Sequence, residues 1–441
     1  MRTSAMARLA IMGILMICLM IPLMMVQGVV SERASRRDAA VAEVGGIWGG
    51  AQTVGGPILT VPYLYIDPAV GSRPIIGRAH FLPDVLDLSG TVEPELRRRG
   101  LFEVVVFKSH LRITGQFARP DLAGVRPEPA PDQILWNDAS LSLGVTDPKG
   151  ISRRATLTWN GREESFVPGV VDAGLFTAGV QAPIRDLSTS AARIAFTLDI
   201  DLNGSRQLRF LPGGSETSVA LTSSWPHPSF VGAPLPESRR TGANGFEATW
   251  RAPYFGRGYP PRWTSAELNR DHLRAMADAS AFGVTLLQPV DIYQQAERAV
   301  KYAALFIVMT FVIAFLWEIA RGALLHPIQY LFVGFSMCVF YLLLLSLSEH
   351  IGFDLAYVSA ATATVGLLAW YWSRVVRGAW SGVLMGVALT LLYGFLYLLL
   401  RLEDYALLAG SIGLFVMLAA VMYLTRRVNW YDLKLGTTDA S

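Results

Sequence analysis

The sequence predicts a multi-pass α-helical membrane protein with six spans and a large β-rich domain outside the cytoplasm, built as an antiparallel two-sheet or sandwich-like fold. Hydrophobic residues make up 52% of the 441 residues and charged residues only 17%, which is typical of membrane proteins. Six long apolar runs lie towards the two ends of the chain. Between them, short stretches alternate apolar and polar residues, as half-buried strands do.

The first apolar run extends from Leu9 to Val26, after Arg2 and Arg8. It has about 18 residues, which is enough to cross a bilayer, and no small-residue cleavage site follows it. We therefore assign residues 1–30 to an uncleaved signal anchor. Residues 44–57 are rich in glycine but lack the Lys-Ser/Thr of a phosphate-binding loop, so they predict a flexible segment before the first strand.

Residues 31–298 contain no run long enough to span a membrane and are assigned to the β-rich domain. From Ile194 to Leu202 apolar and polar or small residues alternate, and Asn203-Gly204 predicts a tight hairpin turn. Trp159-Asn160-Gly161 predicts another such turn. Residues 266–280 show a helical pattern.

Five further apolar runs predict a tight helical bundle over residues 299–425, followed by a tail at 426–441. These runs are Tyr302–Ala320, Tyr330–Leu347, Leu355–Trp372, Trp380–Leu400 and Tyr405–Leu424. Basic residues concentrate in alternate connectors, which predicts cytoplasmic termini and a β-rich domain on the opposite side of the membrane. Gly382-x-x-x-Gly386 permits close helix contact, either within the chain or in a homo-oligomer.

Composition and motif searches predict no catalytic residue, cofactor or metal ligand. The two cysteines, Cys18 and Cys338, both fall in apolar runs, which leaves no disulfide or cysteine-type metal site in the β-rich domain. The sequence contains no Gly-x-Ser-x-Gly, His-Glu-x-x-His or CxxC motif. A net charge of +3 without a basic stripe argues against nucleic acid as a partner.

Several short motifs resemble one known family. They are Gly56-Pro57, His80-Phe81-Leu82-Pro83, Leu211-Pro212-Gly213-Gly214, Ser224-Trp225-Pro226-His227-Pro228-Ser229-Phe230, Leu325-His326-Pro327-Ile328-Gln329-Tyr330 and Ser348-Glu349-His350. Together they resemble CreD, a family of bacterial inner-membrane proteins associated with cell envelope integrity and envelope stress. The resemblance covers nearly the whole chain, and it implies no reaction.

Ten side chains are candidates for interaction or docking: Trp225, His227, His326, Gln329, Glu349, His350, Asp354, Arg401, Glu403 and Asp404. The acidic and basic members end two helical hairpins, where Arg401 is expected to pair with Glu349 or Asp354. Prolines on both sides hold His227 extended, either as a rigid connector or as a ligand or catalytic histidine. We expect the Trp225–Pro228 loop to dock on the charged hairpin ends.

Three functions stay open at this point. The first is a non-enzymatic protein of envelope integrity or envelope stress response, whose partners are the lipid bilayer and envelope components or other membrane proteins. The second is a transporter or channel for small solutes or lipids, which the near-absence of charge within the spans disfavours. The third is an envelope-directed hydrolase with its site in the β-rich domain.

Overall fold

The computed structural model describes most of the chain: residues 5–66, 73–125, 128–152, 155–171, 174–185, 187, 192–267, 269–288, 292–321, 325–376, 378–402 and 405–426. The chain divides into two compact units. One unit, here called the helical unit, comprises Met1–Arg37 and Val290–Ser441, and the other, the β unit, comprises Asp38–Pro289.

Six helices in the described residues are long and apolar enough to cross a membrane, as predicted. They are α1 (Ala5–Trp48), α3 (Ile292–Arg321), α4 (Pro327–Ile351), α5 (Phe353–Val375), α6 (Ala379–Arg401) and α7 (Ala406–Thr425). Both α1 and α3 extend beyond their apolar runs into charged sequence, because local pairs such as Glu32–Arg36, at 2.6 Å, support the helix there. The helical segments therefore run past residue 30 and begin before residue 298.

A single residue, Gly352, separates α4 from α5. Its φ of 77° lies in the left-handed region, where a side chain would be strained. The sharp reversal at this position therefore depends on glycine.

The β unit contains seventeen strands and one helix in the described residues. The strands are β1 (Gln52–Ile66), β2 (Pro74–Phe81), β3 (Val85–Arg99), β4 (Phe102–Ala118), β5 (Ser140–Val145), β6 (Thr156–Trp159), β7 (Arg162–Ser165), β8 (Val167–Pro168), β9 (Gly179–Pro183), β10 (Arg193–Ser205), β11 (Gln207–Phe210), β12 (Glu216–Ser223), β13 (Pro228–Gly232), β14 (Ser238–Gly242), β15 (Gly245–Pro253), β16 (Arg262–Thr264) and β17 (Phe282–Leu286). The helix, α2, spans Arg270–Ser280, inside the stretch that the sequence predicts to be helical.

The strands form two sheets. The first has the order β13-β17-β11-β1-β5-β9-β8, with β2 paired to β1 and β16 to β2; the second has the order β14-β15-β12-β3-β4-β10-β6-β7. In the described residues two strand pairs are parallel, β1 with β11 and β3 with β12, and the others are antiparallel. The two-sheet prediction is confirmed, with mixed sheets in place of purely antiparallel ones.

Apolar side chains of both sheets form one core, as in a sandwich. Trp250 of β15 is fully buried, with its ring 6.2 Å from Phe282 of β17 in the other sheet. In β10 the buried positions alternate from Ile194 to Leu202, as the sequence predicts.

The two predicted hairpins have different outcomes. At Asn160-Gly161 both residues have positive φ, and β6 pairs with β7. At Asn203-Gly204 the hairpin prediction is wrong, because β10 continues through these residues to Ser205. The residue with positive φ is Arg206. The next strand, β11, joins the other sheet beside β1 and β17, so tertiary pairing overrides the local turn signal.

The glycine-rich segment is also more ordered than predicted. Residues 44–48 complete α1, and β1 begins at Gln52. The side chain of Gln52 is fully buried: its Nε2 donates to the carbonyls of Gly49 (2.5 Å), Asp147 (3.0 Å) and Asn203 (3.2 Å), and its Oε1 accepts from the Asp147 amide (3.1 Å). One amide group therefore fastens the segment after α1 to two other parts of the β unit.

We expect Gln52→Ala to destabilise the β unit by about 3 kcal/mol, because it leaves several buried backbone groups without partners, each costing about 1–3 kcal/mol. In a unit of this size the loss corresponds to a fall of roughly 6–12 °C in melting temperature. Tryptophan fluorescence during heating of the full-length protein measures it. The control is Gln116→Ala, at an exposed position of β4, for which we expect almost no change. Equal melting temperatures for both variants would contradict this role of Gln52.

Candidate functional site

The Leu-His-Pro-x-Gln-Tyr motif forms the N-terminal cap of α4. His326 Nδ1 accepts from the Ile328 amide at 3.3 Å, and Gln329 Oε1 accepts from the His326 amide at 2.9 Å. Pro327 occupies the first turn, where no amide donor is needed. Both candidate residues of this motif therefore satisfy helix-end groups in the manner of a capping box.

The last residue of the same motif binds a buried carboxylate. The Tyr330 hydroxyl donates to Glu318 Oε2 at 2.8 Å, and Glu318 is only 4% exposed. In a spanning helix a carboxylate requires such a partner, because no water compensates its polarity. The sequence places Glu318 merely at a span end, and no local signal links it to a tyrosine on the next helix.

Glu349 lies in a second polar cluster, between α1, α3 and α4. Its side chain is 7% exposed, accepts from the Tyr293 hydroxyl at 3.0 Å and lies 3.8 Å from Arg33 Nε. Arg37 lies 5.8 Å from the centre of the Tyr293 ring. Neither Arg33 nor Tyr293 is among the candidates identified from the sequence, because no local pattern links them to Glu349.

A third cluster joins α5 to α6. Arg401 Nη2 lies 2.5 Å from Asp354 Oδ2, and Tyr397 donates to Asp354 Oδ1 at 3.1 Å. Of the two acids expected for Arg401, the structure therefore selects Asp354. The two side chains are 51% and 52% exposed, so water weakens the attraction between them.

Of the remaining hairpin-end candidates, the structure describes only His350, which contacts its own helix. His350 Nδ1 lies 3.0 Å from the Ser346 carbonyl, one turn back on the same helix. Glu403 and Asp404 lie outside the described residues. Docking of the β unit on the hairpin ends therefore stays a prediction.

The Trp-Pro-His-Pro motif of the β unit connects β12 to β13. Trp225 Nε1 donates to the Leu287 carbonyl at 2.9 Å, and the Leu287 amide donates to the His227 carbonyl at 3.1 Å. The His227 ring is exposed and makes no side-chain hydrogen bond within the described residues. The motif thus fastens the connection to the end of β17 through Trp225 and the backbone.

The Leu-Pro-Gly-Gly motif has its carbonyls bound by two buried side chains. Tyr259 donates to the Pro212 carbonyl at 2.6 Å, and Arg257 Nη1 donates to the carbonyls of Gly213 (2.9 Å) and Gly214 (3.1 Å). Burial lowers the pKa of the Arg257 guanidinium and raises the pKa of the Tyr259 hydroxyl. The sequence gives no signal for either side chain, since both lie more than 40 residues away.

His80 is completely buried between two hydroxyl groups. Its Nδ1 lies 3.0 Å from Thr60 Oγ1, and its Nε2 lies 3.2 Å from Oγ of the exposed Ser265. Thr60 and Trp263 are the cross-strand neighbours of His80 on β1 and β16. The histidine therefore bridges three strands of the first sheet, and its second hydroxyl contact lies at the surface.

The small-residue pair of α6 contacts α5 of the same chain. A Cβ at Gly382 would come within 2.6 Å of the Ala369 carbonyl, and one at Gly386 within 3.3 Å of the Ala369 side chain. The intrachain alternative thus has direct geometric support. A homo-oligomer through Gly382 and Gly386 stays a prediction.

The structure offers no evident metal centre. Within the part of the chain that it describes, no group of three or more His, Cys, Asp or Glu side chains is arranged to hold a metal ion.

Because Glu349 and Arg401 lie in separate clusters, we expect their effects on stability to add. Tyr293→Phe should couple to Glu349→Gln by about 0.5–1 kcal/mol, since the two residues are in contact. Asp354→Asn should couple to Arg401→Gln more weakly, because that contact is exposed to water. Glu349→Gln with Arg401→Gln should show no coupling. Double-mutant cycles on the free energy of unfolding in detergent measure these values. A clear coupling across the two clusters would contradict the assignment.

The chain is similar to known proteins along both the helical unit and the β unit. A family model described as inner membrane protein CreD matches residues 4–431. The inner membrane protein CreD of Escherichia coli (strain K12) is 32% identical over 429 residues, which cover 96% of this chain and 93% of that protein. The matches agree with the six spanning helices and support a multi-pass location in the inner membrane. The chain therefore belongs to the CreD family of inner membrane proteins.

Proposed function

We propose that this protein maintains the integrity of the bacterial cell envelope, or serves its stress response, without catalysing a reaction. One observation carries the proposal: polar residues of several family motifs are engaged in internal contacts, with the exposed His227 ring as an exception. His326 and Gln329 cap a helix, His80 bridges strands, and the Leu-Pro-Gly-Gly carbonyls bind Arg257 and Tyr259. These residues stabilise the fold, which is consistent with a protein that acts through its surface and not through a catalytic centre.

In the proposed orientation both termini are cytoplasmic and the β unit lies on the outer side. The support is the positive-inside rule: Arg374 lies in the last turn of α5 and Arg377 follows that helix, and Arg426 and Arg427 follow α7. The short connectors on the other side have only Arg401, at the end of α6. In this orientation the β unit is in contact with the envelope.

We expect green fluorescent protein, which fluoresces in the cytoplasm but not after export through the general secretory route, to be dark when fused after Gly204. The same reporter fused after Gly378, between α5 and α6, should fluoresce because that connector is cytoplasmic in the proposed orientation. Whole-cell fluorescence, normalised to the amount of fusion protein, measures both. A bright fusion after Gly204 would overturn the orientation.

A hydrolase is the second candidate, and the Ser265–His80 contact favours it. His80 Nε2 is placed to take the Ser265 hydroxyl proton as Oγ attacks an ester carbonyl, and then to give that proton to the departing alkoxide. Water, deprotonated by the same histidine, would then attack the acyl group and release it from Ser265 as the proton returns to Oγ. Thr60 would orient the ring through Nδ1. A threonine lacks the negative charge with which a carboxylate stabilises an imidazolium, so this candidate ranks second.

Deletion and complementation separate the two functions. We expect deletion of the gene to increase cell uptake of an apolar fluorescent dye, and both the unchanged protein and Ser265→Ala to restore the barrier equally. Ser238→Ala, at another exposed serine of the β unit, is the matched control. Unchanged dye uptake after deletion would contradict the envelope role. Failure of Ser265→Ala alone, together with labelling of Ser265 by a fluorophosphonate in the purified protein, would favour the hydrolase.

A further inference from the structure

An open cleft of about 650 Å³ lies at one end of the second sheet. Its walls are β3, β12 and the hairpin of β14 and β15. The volume lies within the roughly 300–1,000 Å³ of small-molecule sites. The cleft belongs wholly to the β unit, so its chemistry holds whichever envelope role the protein has.

Exposed hydroxyl groups of two neighbouring strands contribute to the lining. Thr91 and Thr222 are direct neighbours on the parallel strands β3 and β12, and both are exposed. Ser224, which follows β12, adds a further exposed hydroxyl to the lining. A hydroxyl both donates and accepts hydrogen bonds, so this lining matches a ligand that carries many groups of the same kind.

Planar polar groups complete the lining. Asn244 is one of the two residues in the turn between β14 and β15, where Gly242 pairs with Gly245. Its amide offers a donor and an acceptor side by side, which suits neighbouring ring hydroxyls of a sugar. The turn is held in place because Gly245 has a φ of 123° and packs directly against the Ser223 carbonyl.

Charge within the cleft disfavours an anionic ligand. Arg240 Nη1 donates to Glu247 Oε2 at 3.1 Å, so the guanidinium is already paired with a carboxylate. Glu93 adds one more negative charge to the lining. A phosphate or an acidic peptide would meet a net negative surface, whereas a neutral ligand would not.

The apolar residues of the cleft are directed away from it. Val92 and Phe246 are only 2% and 3% exposed, since their side chains belong to the core between the sheets. These two side chains therefore add no apolar wall for an acyl chain. We infer that it binds a neutral saccharide, held through hydrogen bonds from Thr91, Thr222 and Asn244.

The test uses the full-length protein in lipid nanodiscs, because detergents with sugar headgroups would compete for the cleft. The probes are chitotetraose and maltotetraose, two neutral oligosaccharides, with inorganic phosphate as the anionic probe. Isothermal titration calorimetry measures affinity, and saturation-transfer NMR identifies the sugar protons that touch the protein. We expect at least one oligosaccharide to bind with a dissociation constant of about 1 mM or below, and phosphate not to bind.

The variants assign any binding to the cleft. Thr91→Val with Thr222→Val, and separately Asn244→Ala, should weaken the affinity at least about tenfold. Thr249→Val is the matched control, because Thr249 is an exposed strand threonine of the same sheet outside the lining; it should leave the affinity unchanged. Absence of binding by both oligosaccharides, equal binding by the cleft variants, or tighter binding of phosphate would each overturn the inference.

Discussion

The structure depends throughout on one constraint: a hydrogen-bonding group that leaves water must find its partner within the chain. Gln52 meets this constraint for the segment after α1, where a single buried amide binds carbonyls of three separate segments. Together with the backbone hydrogen bonds of Gly49 and Gly50, it sets the path of the residues between α1 and β1. The same constraint explains why the rest of the polar interior is organised as pairs and clusters.

In the helical unit the constraint is stricter, because hydrocarbon offers no hydrogen bonds. Glu318 is tolerated in α3 because the Tyr330 hydroxyl faces it from α4. Glu349 is held in the same way by Tyr293 and Arg33, and these contacts join three helices. Breaking a partly buried pair on one side only is costly, since the remaining charge keeps its desolvation penalty. These carboxylates therefore specify which helices are neighbours.

The family motifs acquire a physical meaning from the same constraint. The prolines, glycines and histidines that carry the resemblance cap α4, bridge strands, or expose carbonyls that buried side chains bind. These residues stabilise the fold, whereas two exposed features of the β unit lie at other positions of the sequence. Ser265 and the lining of the β-unit cleft belong to none of the motifs, apart from Ser224.

The six spans can be predicted from the sequence, because a run of about 18 apolar residues is long enough to cross a bilayer and is stable there. The sequence also determined the alternating strand at β10 and the turn at Asn160-Gly161, which depend on neighbours along the chain. Three features follow only from tertiary packing. Asn203-Gly204 continues a strand, and Arg401 pairs with Asp354 and not with Glu349. His80 contacts Ser265, which lies 185 residues away in the sequence. Local sequence patterns indicate which backbone conformation a segment prefers and which of its side chains are buried. They do not record which distant groups meet, and that is set by how the sheets and helices pack.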